Sequence, residues 1–488
     1  MGVNRGTTGV MAVALLAATA ALGDDVVAPP ASTTRLRRLE AIQLGVGRNA
    51  GLLTERIERQ RSLVLSRAAW QRWSPVLFVE SGYRKGHLQP EDRLSTSIGA
   101  SWEAIVGTRV EAAVGVDQGL GGPSGSAAHE PSVVVRVDQP LLKGGWLPGA
   151  SLPLTEAALV TRIQDELYRD AVNAFVVDVD AAYWDLGVAE SDLEIKTRST
   201  ARAQAQFQDT QENIRRGILA DAEIYVVEEN LVIFQAEHLR AEQGLRAARQ
   251  KLAQLLYLDV DAPLASAETL DLSGLPLPDR DRAIEAALAS NPRVLAQRLR
   301  VNLAQQRVRF STNQSLPALA LTSSVGLFGS SRDYGGAWEG LAFAPGVDAQ
   351  VGLRLDVPLD RIAVDSALDA AVLEEKRETA ELHRQENAVR FEVQNAIASL
   401  LTDLALARSA ARQVTLAELK LQAQNDKYRS GLSTLADVVR FQRDLDGALI
   451  AAKRVVRAVR VGETRVLASV GTLHDSVGVS MAPPAAAP

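Results

Sequence analysis

Two hydrophobic periods share this chain. Within about 75–142 and again within about 317–359, apolar and polar residues alternate at every second position. Leu319, Leu321 and Val325 alternate with Ala320, Thr322, Ser324 and Gly326. Val351, Leu353, Leu355 and Val357 alternate with Gly352, Arg354 and Asp356. Earlier in the chain, Leu77 and Val79 stand against Glu80 and Gly82, and Val133, Val135 and Val137 against Arg136 and Asp138. Strict alternation predicts β-strands with one apolar and one polar face. A soluble sandwich fits that pattern, and so does a membrane barrel with its apolar face toward lipid. Segments near 94–102 and 110–116 alternate too and lengthen the first β region. The pattern leaves open whether they join the same sheet.

The second period is helical. From about 154 to 216 there is no Pro and one Gly, Gly187, and from about 363 to 430 there is neither. Such runs predict two helices of roughly 95 Å at 1.5 Å per residue. Each run ends in a glycine, Gly217 or Gly431, and a heptad seam follows. Val227, Leu231, Phe234, Ala241, Leu245 and Leu252 belong to the first seam, and Leu435, Val438, Leu445, Val456, Val459 and Val466 to the second. Apolar residues sustained at a 3.5-residue period predict coiled-coil packing. His238 falls on the first seam and reads as a seam residue. The short helix before each strand group and the seam helix after each glycine together match one long helix in length, so two short helices can stack end to end beside each long one.

These parts occur twice. The segment beginning Ala41-Ile42 returns at Ala283-Ile284, an offset of 242. Val135-Arg136-Val137-Asp138-Gln139-Pro140-Leu141 returns as Leu353-Arg354-Leu355-Asp356-Val357-Pro358-Leu359, offset 218, and Arg215-Arg216-Gly217-Ile218 as Arg429-Ser430-Gly431-Leu432, offset 214. The chain therefore divides into repeat 1 over 39–258 and repeat 2 over 281–473, each reading helix, strands, long helix, Gly turn, helix. A linker rich in Pro, Asp, Ser and Leu, 259–280, joins them. An extension, 24–38, precedes them, and an Ala/Pro-ending tail, 474–488, reads as disordered.

Composition narrows the function. The 488 residues carry a net charge of -6, which gives no basic surface and argues against nucleic acid as a partner. The absence of cysteine excludes disulfides, thiolate metal sites, a Cys nucleophile and a lipid anchor on an N-terminal Cys. The histidines His87, His129, His238, His383 and His474 are scattered without zinc-protease spacing, and no phosphate-binding loop sequence occurs. Gly122-Pro123-Ser124-Gly125 is followed by Ser126 where a nucleophile elbow needs Gly, and reads as a loop tip. No catalytic, cofactor or metal site is expected, and the chain reads as no enzyme. Arg5, the apolar run from 10 to 22 and Ala21-Leu22-Gly23 describe a secretory signal over 1–23. No later run is apolar enough for a membrane helix, so an exported chain of this kind is soluble or enters a membrane as strands.

Taken in order across both repeats, several short motifs resemble the TolC-like outer-membrane efflux protein family. They are Asn291-Pro292, Leu316-Pro317, the Leu-Asp-Val-Pro-Leu run ending at Leu359, Lys427-Tyr428-Arg429-Ser430-Gly431 with Asp437, and Ala182-Tyr183-Trp184-Asp185 with Arg216-Gly217 and Glu223. The resemblance implies a mainly α, internally duplicated fold: a long coiled-coil helical barrel plus about four strands per chain, which a homotrimer closes into a twelve-stranded transmembrane barrel. Independently, four strands cannot close a barrel, and open sheet edges do not survive in lipid.

The function implied is an outer-membrane channel of a tripartite export system in a Gram-negative bacterium. Most of the chain would lie in the periplasm, the barrel in outer-membrane lipid. It would pass small molecules or polypeptides from an inner-membrane pump through a periplasmic adaptor (membrane fusion protein) to the exterior. The resemblance assigns the periplasmic constriction to Asp437, with Glu223 its equivalent in repeat 1. Arg440 stands where the family often has a second acid, and Asp437 also suits a helix N-terminus. Tyr428 matches a gate tether, while Ser433 replaces a tethering Arg. Gly217, Ile218, Gly431 and Leu432 match the tip turns where an adaptor docks. Trp70, Trp73 and Trp146 would share one barrel rim. The alternative reading is a periplasmic coiled-coil scaffold or adaptor without a pore, although an adaptor would show a single helical hairpin and a lipoyl-like β-domain.

Overall fold

The computed structural model describes residues 34–85, 92–120, 129–146, 150–272 and 279–478. The expected signal segment, His87, the loop tip at Gly122–Gly125 and the end of the tail lie outside them. In chain order the elements are β1 (Thr34–Leu36), α1 (Arg38–Arg48), α2 (Ala50–Ala69), β2 (Val76–Arg84), β3 (Asp92–Glu103), β4 (Arg109–Leu120), β5 (His129–Pro140), α3 (Leu152–Arg215) and α4 (Glu223–Leu256). Then come β6 (Leu264–Ser266), α5 (Arg280–Ser290), α6 (Pro292–Gln314), β7 (Ala318–Phe328), α7 (Tyr334–Phe343), β8 (Gly346–Asp356), α8 (Ile362–Arg429), α9 (Leu435–Val470) and α10 (Leu473–Val477).

The helices form a slab. α3 has 64 residues and α8 has 68, about 100 Å each at the α-helical rise. α3 packs against α2 and α4 on one side and against α6 and α9 on the other, and α8 covers α6 and α9. The end-to-end stacking is seen at both joints. Gly45 of α1 lies against Leu256 at the end of α4. The Asn291 side chain caps α6 by accepting from the Arg293 N–H and donates 2.8 Å to the Ser469 carbonyl near the end of α9. Asn49 caps α2 in the same way, accepting from Leu52 N–H. This explains the Asn-Pro motif: the Asn closes a helix start and pins the neighbouring helix end.

Most seam positions are buried as their period predicts, Val456 on α9 being only half-buried. Val227, Leu231, Phe234, Ala241, Leu245 and Leu252 are buried on α4, and Leu435, Val438, Leu445, Val459 and Val466 on α9. The largest core gathers midway along α3, where Val172, Val176, Val179, Tyr183 and Leu186 meet Ala41, Ile42, Leu252, Leu256 and Leu473. Within the linker segment, β6 pairs in parallel with β1. One boundary needs correction. Residues 474–478, assigned from the sequence to a disordered tail, are ordered, because Leu473 and Val477 of α10 are buried in this core.

One six-stranded sheet stands at the end of the slab in the order β2-β3-β4-β5-β7-β8, every neighbour antiparallel. The expectation of about four strands per chain is corrected to six, since the extra alternating segments pair into the sheet as β3 and β4. Register aligns the two faces across all six strands. One row reads Val79, Ile98, Val114, Val133, Leu327, Val347, and another Leu77, Ala100, Ala112, Val135, Val325, Ala349. The opposite face carries Ser101, Glu111, Arg136, Ser324 and Gln350 in one row. The outer edges, β2 and β8, have no strand partner among the described residues.

Candidate functional site

Two regions carry the chemistry: the helical tip, where each long helix turns back, and the sheet. The two tip turns share one geometry. Gly217 and Gly431 have φ of 74° and 73°, a left-handed conformation that glycine adopts without strain. Gly217 N–H donates to Ile214 O and Ile218 N–H to Asn213 O; Gly431 N–H donates to Tyr428 O and Leu432 N–H to Lys427 O. These paired bonds close the last carbonyls of α3 and α8 in a Schellman-type cap. A Cβ at either glycine would meet open space. The residues after them are exposed, Ile218 at 66% and Leu432 at 79%. Two apolar side chains therefore stand out at the tip.

The acids beyond the glycines are not equivalent. Asp437 is the third residue of α9 and completes a reciprocal cap with Thr434. The Thr434 hydroxyl donates to Asp437 Oδ2 at 2.7 Å, and Asp437 N–H donates back to Thr434 Oγ1 at 3.3 Å. Ser433 O–H also donates to Oδ2, at 3.4 Å, and Gln424 hydrogen-bonds Ser433 across the turn. The Thr434 hydroxyl, then its backbone N–H, then Ser433 and the Arg440 charge hold the Asp437 carboxyl below the usual aspartate range. The capping contribution is therefore present above the unfolded aspartate value and lost as pH falls through the lowered folded value. Glu223 is instead the first residue of α4, whose start has no side-chain cap. The sequence count of six past each glycine places them alike; the helix start does not. Arg440 is exposed one turn after Asp437. Tyr428 is half-buried, and its carbonyl closes the Gly431 turn.

The sheet's apolar face is open. Leu77 is 81% exposed, Ile98 60%, Val351 75% and Leu353 70%. A soluble domain does not leave a six-stranded apolar face uncovered. The polar face is knitted by ion pairs, among them Arg136–Glu111 at 3.6 Å and Arg93–Glu130 at 3.3 Å. At the end nearer the long helices the structure gathers Trp70, Trp73 and Trp146. The Trp70 and Trp73 rings are 6.2 Å apart, and Trp146 N–H donates to Val106 in the β3–β4 turn. Sequence reasoning missed Trp102, whose indole N–H donates 2.9 Å to the Trp73 carbonyl. Its place in an alternating segment was the available signal. Among the described residues no cluster of His, Asp and Glu is arranged to hold a metal.

The fold is thus a two-repeat slab of long helices carrying a six-stranded sheet with one open apolar face. A family model described as outer membrane efflux protein matches residues 283–472. The Brucella suis outer membrane efflux protein BepC is 27% identical over 260 residues, 51% of this chain and 55% of BepC. The Pseudomonas aeruginosa alkaline protease secretion protein AprF is 27% identical over 205 residues, 40% of each chain. The matched stretches thus span about half the length of these curated relatives. The Campylobacter jejuni CmeC outer membrane channel shares the fold with a TM-score of 0.63 at 13% identity, covering 89% of this chain and 86% of that one. The matched family model thus covers the second repeat, and the chain is similar to outer membrane efflux proteins over that part. The family and its structural neighbours are channel proteins.

Proposed function

We propose that this chain is the outer-membrane duct of a tripartite export system, acting without catalysis and closing as a homotrimer. The observation that supports it most is the uncovered apolar face of the sheet, continuous over six strands and attached to helices about 100 Å long. Strands of 9 to 12 residues suit a bilayer crossed at a tilt of about 45°. The slab also has apolar residues on both outer edges. Leu373, Phe391, Leu401 and Leu419 are exposed on α8, and Leu53, Ile57, Val64 and Leu239 on α2 and α4. Joining α8 of one chain to α2 and α4 of the next, and β8 to β2, covers these residues and pairs the open strand edges together.

In this reading the sheet lies in outer-membrane lipid and the helices cross the periplasm. Ile218 and Leu432 meet the adaptor, and the inner-membrane pump acts through it. Glu223, Asp437 and Arg440 sit at the periplasmic constriction, and Tyr428 tethers the tip. Fractionation of expressing cells tests the duct: the chain is expected in the outer membrane as a trimer whose mobility changes on heating. Recovery in the soluble periplasm would support a scaffold instead. For the constriction, Asp437→Asn is expected to lower cation preference in planar bilayers, because three carboxylates favour cations at close range. Unchanged selectivity would remove Asp437 from the pore and leave it the helix cap.

A further inference from the structure

We propose that β3 and β4 are a pair of wall strands inserted into repeat 1, so that the closed trimer has eighteen strands and an exit as wide as its helical tunnel. This rests on the reading of the sheet as a membrane wall. The duplication itself exposes the insert. Repeat 2 places two strands, β7 and β8, between its helices, whereas repeat 1 places four, β2 to β5. The repeat offset falls from 242 to 218 across this region, a difference of 24 residues. β3 and β4 stand together between β2 and β5, and removing both would leave β2 and β5 antiparallel.

The insert is built as wall, not as a flap beside it. Its pairing runs without interruption from Val76–Ser101 to Arg84–Arg93 on one side and from Arg109–Asp138 to Gln118–His129 on the other. Leu94, Ile98, Trp102, Val110 and Val114 fall on the same face as the apolar residues of β5, β7 and β8. Arg93, Ser97, Glu103, Arg109 and Glu111 fall on the other. A slip of one residue would exchange the two sets, so a hairpin free of the wall has no reason to keep phase with both neighbours. The polar face fixes that register. Glu103 reaches Arg72 at 2.9 Å and Arg109 at 3.8 Å, and Glu111 of the insert reaches Arg136 of β5 at 3.6 Å. Gly99 makes room beneath Phe78 of β2: a Cβ there would lie 2.6 Å from the ring and 2.7 Å from the Ala112 carbonyl oxygen.

Two more strands per chain change the bore. With strands about 4.8 Å apart and tilted about 40°, twelve strands span a circumference of about 75 Å and eighteen about 113 Å. Three slabs of four helix positions, packed at about 9–10 Å, span roughly 110–120 Å. The insert therefore brings the sheet to the girth of the helix ring. The exit then places no tighter limit on cargo size than the tunnel does, and selection by size falls to the tip.

The chain has no cysteine, so single cysteines report each position without background. Trimers in liposomes are treated with a water-soluble, membrane-impermeant maleimide. Ser97→Cys and Ser101→Cys in the insert are expected to react about as fast as Ser324→Cys in β7. Ile98→Cys and Val114→Cys are expected to react at least about tenfold more slowly, like Val325→Cys and Val351→Cys, because the thiol faces lipid. If Ile98→Cys and Val114→Cys react as fast as Ser97→Cys while Val325→Cys stays protected, the insert is outside the wall and the proposal fails, though the duct stands. If Val325→Cys and Val351→Cys also react freely, the membrane reading itself fails. As a second measurement, deletion of residues 92–120 is expected to lower the radius at which polyethylene glycols are excluded from the sheet end about 1.5-fold. An unchanged cut-off in assembled trimers would overturn the wider exit.

Discussion

Arginine in place of Val351 is expected to keep the chain out of the outer membrane, whereas arginine in place of Gln350, one residue away, leaves assembly intact. Val351 lies mid-strand in β8 on the apolar face and is 75% exposed in the single chain. In the proposed trimer its surroundings are acyl chains. An arginine near the bilayer midplane costs about 2–4 kcal/mol, and a trimer incurs it three times. Gln350 points to the other face, in the row that holds Glu111 and Arg136, where water and counter-charges accept a cation. The heat-modifiable trimer in the outer-membrane fraction is the readout. Equal assembly of both variants would mean that the apolar face does not meet lipid.

The second large effect lies in the helices. Asp180 of α3 is fully buried, and its carboxylate is held by Arg38 of α1 at 2.5 Å and by the Thr464 hydroxyl of α9 at 2.6 Å. Arg38 also donates 3.0 Å to Thr464. Three helices from both repeats thus meet on one carboxylate. Arg38→Ala leaves that charge buried without its cation and is expected to destabilise the fold by about 3 kcal/mol. That is the low end for breaking a buried pair, because Arg38 is itself partly exposed. Thermal unfolding followed by helical circular dichroism measures it. The double variant Arg38→Met with Asp180→Asn removes both charges and should recover most of the loss. If the double variant is as unstable as Arg38→Ala, packing rather than charge accounts for the effect.

The features legible in the sequence were those with a local period. The seams of α4 and α9 repeat every few residues; most seam positions of α4 are buried, while α9 also buries Val439, Ala448, Ile450 and Val461 off its seam. The alternation of β7 and β8 fixed both faces before any pairing was known. The number of strands was not legible, because pairing β4 with β5 depends on neighbours the alternation does not name. The β1–β6 pairing joins residues about 230 positions apart and has no periodic signal at all. The short α7, in the loop between β7 and β8, was not expected either; Asp333 caps it by accepting from Gly336 N–H.

At the tip, glycine spacing identified the two turns. Equivalence by counting did not extend to Glu223, because α4 begins at that residue while α9 begins two residues before Asp437. The cap itself was readable: Thr434-Leu-Ala-Asp437 has the spacing of a capping box, and the carboxylate is bonded accordingly.

The measurement that tests the duct most directly is ion conductance through the purified, unheated trimer in a planar lipid bilayer. Discrete conductance steps of uniform size, absent from protein first dissociated by heating, are the predicted result. Intact trimers that insert into the bilayer and pass no current under any applied voltage would contradict it.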